Sequence, residues 1–214
     1  MTIHICGDST AASYGPAQHP LTGWGQVIGE MLPGIGIANH AIAGRSTRTF
    51  LQEGRLAAFA GDMRPGDLLL IQFTHNDRGD KPERHTDADT TFPENLTVFV
   101  ETARSRGAIP VLLTPIPERR WAQGRLLDPH GAYPPAIRRL AQATGTPLID
   151  VLKQGMAALQ AAGEADTEAW YMHLAPGQYP PWPEGLTDDV HTRRAGAEVF
   201  ARIVADGLRA LGLI

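Results

Sequence analysis

Five short runs of apolar, β-prone residues recur along the chain, each followed by a longer mixed stretch. They cover Ile3 to Cys6, Gly36 to Ala41, Leu68 to Phe73, Ile109 to Thr114 and Pro147 to Val151. Runs that are apolar without alternation fit strands covered on both faces, as in a parallel sheet. Between and after them the apolar positions return with a helical period. Pro93 to Arg106 sets Leu96, Phe99, Val100 and Ala103 on one stripe, with Pro93 in the first turn and Gly107 suited to the cap. Ala195 to Leu211 sets Phe200, Ile203, Val204, Leu208 and Leu211 on one face, ahead of Gly212. Weaker helical patterns cover Gly23 to Met31, Pro135 to Thr144 and Val151 to Ala162. This alternation predicts an α/β fold: a three-layer α/β/α sandwich around a central parallel five-stranded sheet, with residues 1–214 as one domain.

Three longer stretches carry neither period: Arg78 to Phe92, Pro115 to Gly131 and Gly163 to Thr187. The last contains PGQYPPWPEG, stiffened by prolines, where Tyr179 and Trp182 offer flat apolar surface. Loops of this length are usually functional or disordered. Each of these emerges near a chemically distinctive string, so they are read as loops that shape a substrate site.

Composition narrows the classes. Of 214 residues, 43% are hydrophobic and 20% charged, ordinary for a globular chain with a developed core. A net charge of -4 implies no general affinity for nucleic acid or an anionic membrane. No apolar run approaches the roughly 20 residues needed to span a bilayer. Met1 runs almost directly into the first strand, with no n-region or h-region, so a cytoplasmic location is expected. Cys6 is the single cysteine, which excludes an intrachain disulfide; inside the first strand it reads as a small buried hydrophobe rather than a reactive thiol.

The chemistry sits where strands end. Ser9 in ICGDSTAA follows the first run, Gly44 in NHAIAGRS the second, and Asn76 in QFTHND the third. In open α/β sheets, ligands bind outside the carboxyl ends of the strands. Near the other end of the chain, Asp188 and His191 stand three apart in TDDVHT. A serine hydroxyl needs a base to take its proton; His191 supplies one, with a carboxylate to orient the ring. A competing reading has Asp188 or Asp189 merely capping the C-terminal helix, with His191 on its first turn. The backbone N–H groups of Ser9 and Gly44 and the side-chain amide of Asn76 are candidate donors to a developing oxyanion. Asn76 alone would equally fit an Asx-turn.

Taken together, GDST, the glycine of GRST, HND and the Asp188/His191 pair resemble the four sequence blocks of the SGNH (GDSL-type) hydrolases. Further strings narrow the resemblance to the rhamnogalacturonan acetylesterase branch: GDSTAASYG, GWGQ, NHAIAGRSTRTFLQEGR, GDLLLIQFTHND, ARSRGAIPVLLTPIPERRW, LIDV and DDVHTRRAGAEVFA. The resemblance covers essentially the whole chain. It implies a flavodoxin-like sandwich and no metal or organic cofactor. Ser9 would be nucleophile, His191 base and acid, Asp188 its orienter, and Ser9, Gly44 and Asn76 the oxyanion hole. It also implies an acetylated oligosaccharide as substrate. Arg45, Trp24 and His75 are read as substrate contacts, with Arg48 and Arg119 as further partners for a galacturonate carboxylate. His75 is equally open to packing within its loop. The D-x-x-H spacing selects Asp188 and leaves Asp189 exposed or capping.

One departure bears on specificity. Where the branch usually carries glycine before the histidine of QFTHND, this chain has Thr74, expected to narrow the pocket or alter the backbone. Other members of the superfamily act as lipases, thioesterases or acetylxylan-type esterases, and these readings stay open. A nucleotide-binding module does not fit: GxxxxGK[ST] is absent and no GxGxxG opens a helix after the first strand. His85 and Asp87 lack further ligands at metal spacing, so no metal site is expected.

Overall fold

Apolar strand residues pointing alternately to two faces need a covering layer on each. The computed structural model, which describes residues 1–214, provides both. Strands β1 (Thr2–Gly7), β2 (Gly36–Asn39), β3 (Leu68–Gln72) and β4 (Ile109–Leu113) are joined in one all-parallel sheet by the short Leu148–Ile149 strand, here β7 because two two-residue strands precede it in the chain. Those two, β5 (Trp121–Ala122) and β6 (Arg125–Leu126), form a hairpin inside one of the long loops; Gln123 and Gly124 both take positive φ, as a tight two-residue hairpin turn requires. The sheet order is β2-β1-β3-β4-β7, the flavodoxin-like arrangement.

Ile3, Ile5, Leu68, Leu70, Val111 and Leu113 face one way. They pack against α1 (Trp24–Val27), α6 (Val151–Ala162) and α8 (Arg194–Ala210), whose Phe200, Val204 and Leu208 are fully buried. Cys6, Leu69, Ile71 and Leu112 face the opposite way, toward α2 (Thr47–Gln52), α3 (Arg55–Ala60), α4 (Thr91–Ser105) and α5 (Tyr133–Thr144). A Phe50–Phe73–Phe99 cluster fills that second core, with ring centroids 5.2–5.7 Å apart. The four-residue α7 (Glu164–Thr167) leads into an antiparallel pair outside the main sheet, β8 (Tyr171–Leu174) and β9 (Leu186–Thr192). No helix is long and apolar enough to cross a membrane.

The five expected strands and five expected helices are present, with boundaries shifted by a few residues. β2 ends at Asn39 rather than Ala41, because the Asn39 side chain accepts from Ala41 N and donates to Ala11 O, turning the chain toward the loop after β1. The helix over Gly23 to Met31 is shorter: α1 stops at Val27 and a 3-10 turn continues from Ile28 to Met31. The short helices α2 and α3 and the β8–β9 pair were not expected.

Candidate active site

The order in which strands are added reverses at β1, with β2 on one side and β3 on the other, and the loops that follow β1, β2 and β3 meet there. Ser9 stands in the turn directly after β1. Asp8 holds that turn, accepting from Thr10 N at 2.9 Å and Thr10 Oγ1 at 2.7 Å. Glycines let α1 press against the same loop: a Cβ on Gly23 would lie 2.2 Å from Ala12 O, and one on Gly25 would lie 2.4 Å from Ala11 O. Trp24, between them, is fully buried and donates its indole N–H to Gln72 Oε1 at 2.7 Å. The GWG string is therefore a packing device under the Ser9 loop. The expectation that Trp24 touches substrate is corrected, since its ring is enclosed in the core and its one polar atom is already satisfied.

Ser9 Oγ lies 2.8 Å from His191 Nε2, and His191 Nδ1 lies 2.7 Å from Asp188 Oδ2. A straight strand would send residues three apart to opposite faces. β9 avoids this with a bulge: Tyr171 pairs with Thr192 and its neighbour Met172 with Asp188, so residues 189–191 loop out. Asp188 Oδ1 accepts from Val190 N and His191 N, folding that loop back onto its own carboxylate. Arg193, not either aspartate, is the N-cap of α8, so the helix-capping reading of Asp188 and Asp189 does not hold. Asp189 is half-buried and bonds His173 Nε2 at 2.8 Å.

Burial disfavours the imidazolium of His191. The hydrogen bond and charge of Asp188, with Asp8 and Glu118 beyond, outweigh it and hold the His191 pKa above the ordinary histidine value. Burial likewise works to raise Asp188, but hydrogen bonds from the His191 ring and from two backbone N–H groups keep it below the usual carboxylate range. The carboxylate at Nδ1 thus fixes the tautomer that leaves Nε2 free to accept from Ser9.

Ser9 N and Gly44 N donate to no other protein group. Gly44 has φ +77°, a left-handed conformation that side chains rarely take, and a Cβ there would lie 3.4 Å from the Arg84 guanidinium. Asn76 Oδ1 accepts from Arg84 at 3.3 Å and its Nδ2 donates to Arg45 O at 3.1 Å, leaving the second amide hydrogen unassigned. Next to it, Asp77 is fully buried and accepts from Thr47 N, Thr47 Oγ1 and Thr86 Oγ1, tying the β3 turn to the start of α2. Burial pushes its carboxyl up to about 7, against the pull of those donors.

Ser9, His191, Gly44 and Asn76 line one cavity of about 380 Å³, with Tyr14, Arg78, Arg84, His75 and Glu118 on its walls. Arg45 does not line it: its guanidinium bonds Glu53 Oε2 at 3.1 Å and Ala43 O at 3.0 Å, so the side chain is already satisfied. Arg48 and Arg119 also lie off its wall, donating to Pro82 O and Glu164 O. The arginines at the cavity are Arg78 and Arg84, both from the first long loop. Thr74 is fully buried and also lies off the cavity wall. A smaller apolar slot of about 210 Å³, walled by Leu21, Met172, Trp182 and Leu186, opens beside Asp188 and His191.

A hydroxyl, an imidazole and a carboxylate in hydrogen-bonded series, at the carboxyl edge of a parallel sheet, form the arrangement of a serine hydrolase. The GDSL-like Lipase/Acylhydrolase family matches residues 5–199, and the chain belongs to that family, an SGNH-type carboxylic ester hydrolase. It is 39% identical to the rhamnogalacturonan acetylesterase of Bacillus subtilis (strain 168), over 99% of this chain and 90% of that protein. It is 36% identical to a probable rhamnogalacturonan acetylesterase of the same organism, over 99% of this chain and 94% of the relative. Among solved structures, a Bacillus subtilis protein named YxiM superposes with a TM-score of 0.84 at 27% identity; the match covers 99% of this chain and 56% of that one. An acetylxylan esterase from Geobacillus stearothermophilus shares the fold, with a TM-score of 0.67 at 21% identity over 99% of this chain and 94% of the other.

Proposed function

We propose that the protein removes acetyl groups from acetylated rhamnogalacturonan oligosaccharides through a Ser9–His191–Asp188 triad. The observation that carries this reading is the unbroken series from Ser9 Oγ to Asp188 Oδ2, with links of 2.8 and 2.7 Å. Ser9 Oγ attacks the acetyl carbonyl carbon while its proton passes to His191 Nε2. The carbonyl oxygen becomes an oxyanion, met by Ser9 N–H, Gly44 N–H and the Asn76 amide. The C–O bond to the sugar then breaks, and the imidazolium returns its proton to the departing alcohol. Water repeats the sequence on the acetyl-serine, releasing acetate and the free serine.

Two features support an acidic carbohydrate. Arg84, which pairs with no carboxylate of the protein, offers a guanidinium at the cavity suited to a uronate carboxylate; Arg78 beside it is already paired with Glu118. Two relatives matched over 90% and 94% of their length are named a rhamnogalacturonan acetylesterase and a probable rhamnogalacturonan acetylesterase. The apolar slot beside His191 favours a second reading, a short-chain acyl esterase of broader range, because it would accept a few methylenes or the face of a sugar against Trp182. Acetate release from acetylated rhamnogalacturonan oligosaccharides, with acetylated xylan as comparator, separates the two. Selective release by the wild type, lost in Ser9→Ala and made unselective by Arg84→Ala, is the expected result. Equal release from both polymers would favour the broader esterase, and release surviving in Ser9→Ala would overturn the triad.

A further inference from the structure

The same cavity wall holds a second set of chemical groups that the esterase reaction leaves unused. His75 follows β3, Glu118 sits in the loop after β4, and His130 lies just ahead of α5. One ligand atom from each comes within 4.8 Å of the other two. His130 and the Glu118 side chain are buried.

Each histidine has one ring nitrogen engaged by a carboxylate. His75 Nδ1 lies 3.1 Å from Asp8 Oδ2, and His130 Nδ1 lies 2.6 Å from Asp128 Oδ1. An ionised carboxylate only accepts, so both Nδ1 atoms carry their hydrogens and a neutral ring exposes a lone pair at Nε2. These two Nε2 atoms face each other at 3.3 Å. Two lone pairs so placed repel unless something positive lies between them. Two imidazoles on a tetrahedral zinc, with Zn–N bonds of about 2.0–2.1 Å, hold their nitrogens about 3.3–3.4 Å apart. A carboxylate behind each ligating ring is also the usual outer support of such a site, fixing tautomer and orientation.

Glu118 supplies the oxygen. Arg78 pairs with its Oε1 and Arg120 Nε with its Oε2 at 3.2 Å. Each carboxylate oxygen has two lone pairs, so these partners orient the group and still leave it able to accept a cation. Asp8 and Asp128 stand behind the two rings, and Glu118 adds a third carboxylate.

We propose that His75 Nε2, His130 Nε2 and a Glu118 carboxylate oxygen bind one divalent transition-metal ion, best suited to Zn²⁺, on the wall of the active-site cavity. Two nitrogens and one carboxylate oxygen make a donor set zinc accepts, and they leave a fourth tetrahedral position for water or another oxygen ligand. His75 and Glu118 both face the cavity that holds Ser9, so that open position is reached from it.

Calorimetric titration of the chelator-treated full chain with Zn²⁺ tests this without reference to esterase activity. One ion per chain is expected, with affinity falling more than about 100-fold in His130→Asn and in Glu118→Gln, and about 10- to 100-fold in Asp128→Asn. Co²⁺ added to the wild type should give the intense visible absorption of tetrahedral coordination, a readout that survives should His130→Asn fail to fold. His191→Ala, which removes the other imidazole of the cavity, should keep the binding. No saturable binding by the wild type, the two rings then sharing only a proton, would overturn the proposal. So would binding lost in His191→Ala but retained in His130→Asn.

Discussion

At the scale of single residues, the site depends on which group holds which proton. Neutral His191 accepts from Ser9, and the partners that hold its pKa above the ordinary value also set the acid limb of activity. As pH falls through that raised pKa the base is lost, so kcat/KM should decline from a point above the usual histidine titration. Replacing Asp188 by Asn removes the charge and lets the ring turn to its other tautomer. The expected result is a fall in kcat of about 10³- to 10⁴-fold, with the acid limb moved to lower pH. Rates measured across the pH range in both proteins check this; an unmoved limb would mean that another group controls it. Trp24 makes the opposite case, a residue near the nucleophile that acts only through packing. Trp24→Phe keeps most of the ring but strips one donor from Gln72 Oε1, a buried acceptor. A loss of about 1–3 kcal/mol in urea unfolding is expected, with KM for ester little changed. A large rise in KM at intact stability would restore Trp24 as a substrate contact.

At the scale of elements, the chain announced the parts buried on two faces and hid those held by polar bonds. Leu68 to Ile71 is apolar on successive positions because both sheet faces are covered, and such a run reads directly as a strand. β9 reads LTDDVHT, with Thr192 its only buried residue, and its shape comes from pairing with β8 and from the Asp188 turn. No hydrophobic period could reveal it. The D-x-x-H spacing was visible all the same, because the two residues are local to each other. Arg84 was visible as an arginine near a motif, but its place on the cavity wall, where Arg45 is absent, depends on how the two loops fold together. His75 and His130 stand 55 positions apart with no spacing signature, so their meeting exists only in three dimensions.

At the scale of the whole molecule, the candidate site is drawn from distant parts of the chain. Ser9 and His191 are 182 positions apart, and their 2.8 Å contact requires β8 and β9 to be seated beside the loop after β1. That seating rests on Thr22 N to Thr192 O at 2.9 Å, Thr192 Oγ1 to Thr22 O at 2.6 Å, Arg119 N to Asp189 O at 2.8 Å and Tyr171 Oη to Pro117 O at 2.7 Å, with the Tyr171 ring buried against Phe200. The parallel sheet, by contrast, is locked between two cores. Elements with fewer buried contacts open at lower free energy than the centre of a fold. In a urea titration, esterase activity should therefore disappear before far-ultraviolet circular dichroism changes; coincident transitions would show that the hairpin and the sheet open as one unit.

The bulge in β9 carries a consequence for how this chain could vary. Because Asp188 and His191 are bound into one turn framed by the short pairing with β8, base and orienter travel together. Length changes in the proline-rich segment ahead of β9 would reshape the rim where a substrate enters while leaving the proton-transfer pair as a preassembled part. The rim on that side is thereby free to drift without retuning the proton-transfer pair.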